Sequence, residues 1–174
     1  MAGVQLVIER GDITRAQVDA IANAANRRMR GGGGVDGAIH RRGGPHVLSD
    51  CIRRFPDGLP TGHAGWTTAG RLPARWVIHC VGPVWSPDDD RSPLLRSCYR
   101  EALLIADELG ARSVAFPAIS AGVYGWPLAD AARQAVRTVR ATETSVAEVR
   151  FVLFSDEALA AFEEAAAHGD RSTR

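Results

Sequence analysis

The sequence predicts an α/β fold with a largely parallel sheet, and two observations lead to this prediction. Short apolar runs rich in valine and isoleucine alternate along the chain with longer segments in which apolar residues recur every three or four positions. Runs of the first kind are typical of buried strands, and the second pattern is typical of helices that bury one face. Alternation of the two favours parallel strands, because each helix returns the chain to the start of the next strand.

Five apolar runs bounded by turn residues are predicted to be buried strands. They cover 4–8, 20–22, 76–81, 113–116 and 149–154. A sixth segment, 63–69, alternates less cleanly, and we expect it to pair with 76–81 as a hairpin-like edge. The proline- and aspartate-rich stretch 83–93 is predicted to be an exposed loop.

Helices are predicted between these strands. They cover 35–42, 94–109, a run that begins at Pro127, and a run after Ser155 and Asp156, either of which can cap it. In the second of them, Leu95, Cys98 and Ala102 begin a stripe at steps of three and four, which indicates one buried face.

Composition bounds the class of protein. The 174 residues are 45% hydrophobic and 24% charged, which is typical of one globular domain, predicted over 1–168 with a frayed tail at 169–174. We find no apolar run long enough to span a membrane and no export signal, so we expect a cytoplasmic protein with no membrane partner. Cys51, Cys80 and Cys98 lack CxxC spacing, so we expect buried thiols rather than disulfides or a metal site.

All 21 basic residues are arginine, and the absence of lysine excludes some chemistry. Schiff-base catalysis and the Walker A loop both need a lysine. The formal net charge of +1 provides no global field for nucleic acid, although arginines cluster around the first glycine loop. They are Arg27, Arg28, Arg30, Arg41 and Arg42. Either they form a solvated rim or they attract an anionic substrate.

Two glycine-rich loops predict an anion site. Gly31, Gly32, Gly33 and Gly34 directly precede the predicted helix at 35–42, whose first N–H groups have no partner within the helix. Such a run destabilises the fold unless the backbone needs unusual dihedral angles or closely contacts a ligand. The second loop, 120–125, joins a predicted strand to a helix. Two anion-binding loops at strand ends suggest a diphosphate.

Three polar side chains near the first loop can hold and activate water. Asp36 and His40 are four residues apart, which places them on one face of a helix, and Asn26 follows a strand end. In the alternative reading, Asp36 only complements the helix dipole and His40 is structural.

Three further positions each allow two interpretations. Asp12 either caps a turn or accepts a hydrogen bond from a base amino group. Phe154, at the end of the last predicted strand, either packs in the core or stacks on an adenine ring. Tyr124 lies in the second glycine loop, where a core role is less expected.

At these residues the sequence resembles the macro domain family, in its MacroD-type branch, which includes bacterial O-acetyl-ADP-ribose deacetylases. The resemblance rests on segments that occur in family order over nearly the whole chain. They are 11–14, 23–26, 31–40, 60–64, 72–74, 79–85 and 116–125. Ala121, Ala22 and the stretch 27–29 depart from the common family residues, and the bulky arginines in that stretch bear on which substrate enters.

The resemblance implies a three-layer α/β/α domain with a mixed, largely parallel sheet that binds ADP-ribose and hydrolyses its acyl esters. Asn26, Asp36 and His40 match the catalytic positions. The ligand-binding residues implied are Asp12, Ile13, Asn26, Gly32, Gly33, Gly34, Val35, Asp36, Ser120, Ala121, Gly122, Val123, Tyr124 and Phe154. Substrates would be O-acetyl-ADP-ribose and mono-ADP-ribosylated aspartate or glutamate of proteins, with no cofactor and no metal, in a monomer.

Two alternatives of other classes stay open. A reader module would bind ADP-ribose without turnover, and the presence of both Asn26 and Asp36 argues against it. A protein that binds or processes nucleic-acid ends would use the arginine rim, and the low net charge argues against it.

Overall fold

A computed structural model of the chain describes residues 3–171. Within them the sheet has six strands, namely β1 Gln5–Arg10, β2 Ala20–Ala25, β3 Ala64–Thr68, β4 Trp76–Val81, β5 Ser113–Phe116 and β6 Glu148–Leu153. The helices of this part of the chain are α1 Gly34–Gly43, α2 Pro45–Arg54, α3 Ser92–Leu109, α4 Leu128–Ala141 and α5 Asp156–Arg171, with a short 3-10 turn at Ile13–Arg15. The predicted tail, 169–174, ends outside the described residues, and its fraying stays a prediction.

The sheet is mixed and largely parallel, as predicted. Its strand order is β1-β6-β5-β2-β4-β3, and every neighbouring pair is parallel except β3 and β4. The hairpin-like edge expected at 63–69 is therefore confirmed as the antiparallel strand β3. The long central strands β2 and β4 pair in register along their whole length.

Helices cover both faces of the sheet and complete the three layers that the family resemblance implies. Alanines and aromatic residues of α3, α4 and α5 pack on one face around Tyr99, Phe116 and Phe151. On the other face, Ile39 of α1 packs with Ile21 of β2 in a smaller apolar cluster. Burial of both faces explains why the parallel strands consist of apolar runs with little alternation.

Several element boundaries differ from the sequence prediction by one or two residues, and three differences bear on the site. Helix α2 is not among the predicted elements, which include no helix between residue 42 and the strand at 76–81. In the structure Gly44, at φ 81°, ends α1, and Pro45 begins the next helix. Strand β2 extends to Ala25 rather than ending at residue 22, so Asn23 lies inside a strand. Phe154 lies one residue beyond β6, so its predicted place within the last strand is wrong.

Several smaller predictions are confirmed. Cys51, Cys80 and Cys98 are free and buried. Ser155 rather than Asp156 caps α5, because its Oγ accepts a hydrogen bond from the Ala158 N–H at 3.1 Å. Among the described residues, none of the helices is both long and apolar enough to cross a membrane.

Candidate active site

The strand order brings the predicted site residues to one edge of the sheet. β1, β6, β5 and β2 are consecutive parallel neighbours, so their carboxyl ends lie side by side. Asp12 follows the first of these strands, Phe154 the second, the 120–125 loop the third and Asn26 the fourth. Three strand spacings of roughly 4.8 Å each separate Asp12 from Asn26 by about 14 Å along these strand ends, and the surface between them is called the groove below. Ligands of open α/β sheets bind at this kind of edge.

The first glycine loop presents backbone donors to this groove. Gly31 has φ 92° and Gly34 has φ 57°, which are left-handed conformations that favour glycine. The N–H groups of Gly32 and Gly33 donate no hydrogen bond within residues 3–171, and the first turn of α1 adds the unpaired donors of any helix start. The loop therefore presents unpaired N–H donors at the position where the sequence predicts an anion site, and anion binding there stays a prediction.

Asn26 and Asp36 converge on the same point of this loop. The Asn26 Nδ2 donates to the Gly31 carbonyl at 3.2 Å, which aims the amide along the loop. The Asp36 carboxylate is buried, and its Oδ1 lies 3.3 Å from the His40 Nε2, one helical turn away. A Cβ added to Gly32 would lie 3.2 Å from Asp36 Oδ2 and 3.3 Å from Asn26 Nδ2. Asn26 Nδ2 and Asp36 Oδ2 therefore both face the Gly32 backbone.

A buried polar layer lies behind Asp36. The Asn23 Nδ2 donates to Asp36 Oδ1 at 2.8 Å and lies 3.1 Å from the His79 Nδ1. The other ring nitrogen of His79 is 2.9 Å from the Thr67 Oγ1. Thr67, His79 and Asn23 are all buried and come from the three neighbouring strands β3, β4 and β2.

The imidazole of this layer is neutral. Burial is the main cause that lowers the pKa of His79 to about 4, and the neighbouring His40 lowers it further. Asp36 and Asp50 act in the opposite direction without offsetting burial. At neutral pH His79 therefore has one N–H donor and one ring nitrogen that accepts.

The second glycine loop faces the first across the sheet edge. Ser120 adopts φ 68°, a conformation that few residues other than glycine adopt, and its buried Oγ has no hydrogen-bond partner within the described chain. The N–H groups of Gly122, Val123 and Tyr124 also donate no hydrogen bond in this part of the chain. Val123 is 95% exposed, which is unusual for valine unless something covers it.

Tyr124 lies near Asp36, at the end of the groove that contains Asn26. Its pKa is raised mainly by burial and also by the negative charge of Asp36, while Arg27 has the opposite effect. The phenol therefore stays protonated at neutral pH and can donate a hydrogen bond. Its carbonyl accepts from the Trp85 N–H at 2.8 Å, which fastens this loop to the segment after β4.

Asp12 and Phe154 mark the opposite end of the groove. Asp12 Oδ1 caps the short 3-10 turn by accepting from the Thr14 N–H at 3.0 Å and from its hydroxyl at 2.6 Å. The hydroxyl bond is the main cause that lowers the pKa of Asp12. The second oxygen, Oδ2, lies 3.8 Å from Arg42 and accepts no closer bond. Phe154 is 76% exposed, so packing in the core does not explain its ring.

The family model described as Macro domain matches residues 22–135, which contain Asn26, Asp36, His40 and the second glycine loop. The chain belongs to the macro domain family. A macro domain-containing protein of Streptomyces coelicolor is 65% identical over 166 residues, covering 93% of this chain and 97% of that protein. An O-acetyl-ADP-ribose deacetylase of Salmonella typhimurium is 51% identical over 159 residues, covering 88% and 89%. A Trypanosoma brucei macrodomain, solved in complex with ADP-ribose, has a TM-score of 0.85 at 41% identity, covering 92% of this chain and 68% of that one.

One cluster in this macro domain has ligand atoms of the kind that bind metals. His40, Cys51 and His79 each place one such atom within 4.8 Å of the others. Both nitrogens of His79 already lie within hydrogen-bond distance of Asn23 or Thr67. Burial raises the pKa of the Cys51 thiol to about 11, so this side chain is a neutral thiol at neutral pH. The cluster is therefore better described as a hydrogen-bonded layer of the fold.

The three arginines that follow Asn26 on the macro domain's rim divide into two groups. Arg30 is half-buried, and its guanidinium donates to the carbonyls of Arg28 at 3.2 Å, Met29 at 3.1 Å and Pro56 at 3.0 Å. It braces the loop after β2, in which the buried Met29 has φ 59°. Arg27 and Arg28 are exposed. One arginine thus has a structural role, while these two remain available at the groove.

Proposed function

We propose that this macro domain binds ADP-ribose and hydrolyses its acyl esters. The observation that carries the proposal is the convergence of Asp36 Oδ2 and Asn26 Nδ2 on Gly32, beside backbone donors that have no partner within the described chain. A carboxylate, an amide and an anion site in one place are the groups that ester hydrolysis next to a diphosphate needs.

The groove fits the ligand in one direction. The adenine ring stacks on Phe154 and its amino group donates to Asp12 Oδ2, beside the backbone of Ile13. The diphosphate lies between the two loops, and the distal ribose reaches Tyr124 and Asn26. The backbone contacts to the diphosphate are assigned to Gly32, Gly33, Gly34, Val35, Ser120, Ala121, Gly122 and Val123. The Ala121 N–H also donates to the Ala118 carbonyl at 3.2 Å, so its contact to the diphosphate is a shared hydrogen bond, which needs no side chain.

The reaction is attack of water on the acyl carbonyl. The bond between the acyl carbon and the ribose oxygen breaks, the ribose oxygen takes up a proton, and the products are ADP-ribose and a carboxylic acid. Asn26 orients the distal ribose and the water, and His40 supports Asp36 from the adjacent turn. Two groups can accept the proton of the water, namely Asp36 Oδ2 and the diphosphate of the substrate itself.

The acyl group is either acetate or the side chain of a modified aspartate or glutamate. The name of the Salmonella relative supports acetate. Protein substrates must pass the exposed Arg27 and Arg28, which favour acidic surroundings around the modified residue.

Incubation of the wild-type protein with O-acetyl-ADP-ribose, followed by chromatography of free ADP-ribose, tests this proposal. Release above the rate of the buffer alone supports the hydrolase. Tight binding of ADP-ribose without release indicates a reader. Binding of RNA with a steep salt dependence, in the absence of ADP-ribose binding, indicates a nucleic-acid protein.

We expect Phe154→Ala to weaken ADP-ribose binding about tenfold, because the variant loses stacking worth roughly 1–1.5 kcal/mol. The exposed ring contributes little to folding, so the free energy of unfolding stays near that of the wild type. Calorimetric titration with ADP-ribose and with ADP measures the effect, which is the same for both ligands if the ring stacks on adenine.

Leu104→Ala is the matched control, since Leu104 is also an exposed apolar side chain but lies on α3. It leaves both dissociation constants unchanged. Equal binding by Phe154→Ala and the wild type would exclude adenine stacking at this position.

A further inference from the structure

The buried layer behind Asp36 has a defined arrangement of donors and acceptors. The Thr67 hydroxyl lies 3.0 Å from the Thr68 carbonyl, which can only accept, so the hydroxyl hydrogen is donated there. The Thr67 oxygen is then left as an acceptor toward the His79 Nε2, 2.9 Å away. His79 therefore carries its hydrogen on Nε2, and its Nδ1 accepts.

The tautomer of His79 in turn orients Asn23. The Nδ1 acceptor and Asp36 Oδ1 both face the Asn23 Nδ2, which has one hydrogen for each of them. If the Asn23 amide were rotated by 180°, its oxygen would face two acceptors, Asp36 Oδ1 at 2.8 Å and His79 Nδ1 at 3.1 Å. If His79 carried its hydrogen on Nδ1, two donors would face each other. The hydrogen bonds that connect Thr68, Thr67, His79, Asn23 and Asp36 can therefore be donated in only one direction.

This arrangement leaves an unsatisfied polar atom. The Asn23 Oδ1 is buried and has no hydrogen-bond partner within the described chain. An unsatisfied buried acceptor destabilises the fold, so stability alone does not explain an asparagine at this position. What the amide does provide is a second partner for Asp36 Oδ1, in addition to His40.

We propose that Asn23, His79 and Thr67 are positioning residues, which hold Asp36 Oδ1 so that Oδ2 faces the reacting ester. The inference rests on the proposed hydrolase function. The three residues act through Asp36 and touch no substrate. The layer spans the sheet from the edge strand β3 to the catalytic loop, because Asn23 and His79 are register partners on β2 and β4.

Titratable groups besides Asp36 also lie near this layer. His40 belongs to α1 and contacts the same carboxylate oxygen, and Asp50 of α2 influences His79 through its charge. The Cys51 Sγ, also on α2, lies 3.7 Å from the His79 Nε2 and is neutral at working pH. His40 contacts the Asp36 end of the layer, whereas Cys51 faces the same His79 nitrogen as Thr67. A thiol sulfur is a weak acceptor, so the Cys51 contact is compatible with a hydrogen on His79 Nε2.

Thr67→Val and Thr67→Ser are the matched pair of variants that tests the proposal. Asn23→Ala is more direct, but it opens a cavity in a fully buried layer and can fail to fold. Valine keeps the shape of Thr67 and removes the acceptor of the His79 hydrogen, whereas serine keeps the hydroxyl. We expect Thr67→Val to lower kcat about tenfold with KM within about twofold, and Thr67→Ser to restore most of kcat.

Thr138→Val controls for loss of a buried hydroxyl, since Thr138 is also buried but lies on α4, on the other face of the sheet. It leaves kcat unchanged. Equal kcat for Thr67→Val and the wild type would overturn the proposal, and so would a Thr67→Ser variant as slow as Thr67→Val.

A second measurement does not depend on turnover. Long-range nitrogen–proton correlation spectra of histidine-labelled protein distinguish the two tautomers. We expect His79 as the neutral Nε2–H form in the wild type and a mixture of tautomers in Thr67→Val. A wild-type Nδ1–H form would overturn the inference. Absence of ester hydrolysis by the wild type would instead contradict the proposed function, so the two failures are distinguishable.

Discussion

Replacing Asp36 by asparagine is expected to reduce kcat for O-acetyl-ADP-ribose on the order of a thousandfold, while the dissociation constant for ADP-ribose changes less than about threefold. The variant keeps the shape of the side chain but removes the carboxylate oxygen that faces Gly32. The backbone donors of both loops are unaffected, which is why binding persists. Single-turnover chromatography measures the rate, and calorimetry measures the affinity.

Glu163→Gln on α5 is the control, because it neutralises an exposed carboxylate on the other face of the sheet. It leaves kcat unchanged. Asp36→Ala then distinguishes the two candidate bases, since formate added to that variant restores part of the rate only if the carboxylate itself accepts the proton. Hydrolysis of the ester at the wild-type rate by a variant without Asp36 would show that this residue is not catalytic.

Acidification from about pH 7 to about pH 4.5 is expected to lower the free energy of unfolding by about 2.5 kcal/mol through His79 alone. The pKa of this buried imidazole is about 4 in the fold against 6.5 for the free side chain. Between these values the unfolded chain binds the proton and the folded chain does not, so stability falls as pH falls. Above pH 6.5 neither state binds it, and the effect is absent. Urea unfolding at each pH measures the change.

His79→Gln removes the titrating group and should flatten this part of the stability profile. His46→Gln is the matched control, because His46 is exposed on α2 and its replacement leaves the profile as in the wild type. Asp12 and Asp50 have lowered pKa values, so their contributions are lost mostly below this range. Identical profiles for the wild type and His79→Gln would contradict the prediction.

The sequence predicted the sheet, four of the helices and the residues that converge on the groove, because local patterns carry that information. Apolar runs indicated the strands, and the four-residue spacing of Asp36 and His40 predicted their contact. At Asp12 and at Phe154 the sequence left two interpretations open. Choosing between them requires the hydrogen bonds and the exposure of these side chains, which only the fold supplies. Asp12 caps a turn through Oδ1 while its Oδ2 has only ion pairs with Arg42 at 3.8 Å and Arg15 at 3.9 Å, and Phe154 lies outside the core.

Asn23 and His79 each begin a segment of the family resemblance, but the sequence assigned neither of them a role, because their roles arise from pairing between strands. Asn23 is a poor strand former, so the run 20–22 was ended before it. His79 lies within an apolar run, where a histidine suggests only a tolerated polar residue. Their contact depends on the parallel register of β2 and β4, which no local pattern specifies. The signal that could have found them is the adjacency of these two strands. It is joined by the ability of the Asn23 amide to form a hydrogen bond with a buried imidazole.

The place of β1 in the sheet has a consequence for synthesis of the chain. Within residues 3–171, β1 is an edge strand whose single neighbour is β6, and β6 is the last of the six strands to be synthesised. Until then, the backbone donors of β1 are unpaired and Asp12 has no neighbouring strand to hold it. The loops that surround Asp36 can already fold around β2, β4 and β5. A nascent chain therefore completes the end of the groove around Asp36 before the end around Asp12. Full affinity for the proposed nucleotide ligand is reached only when β6 has paired with β1.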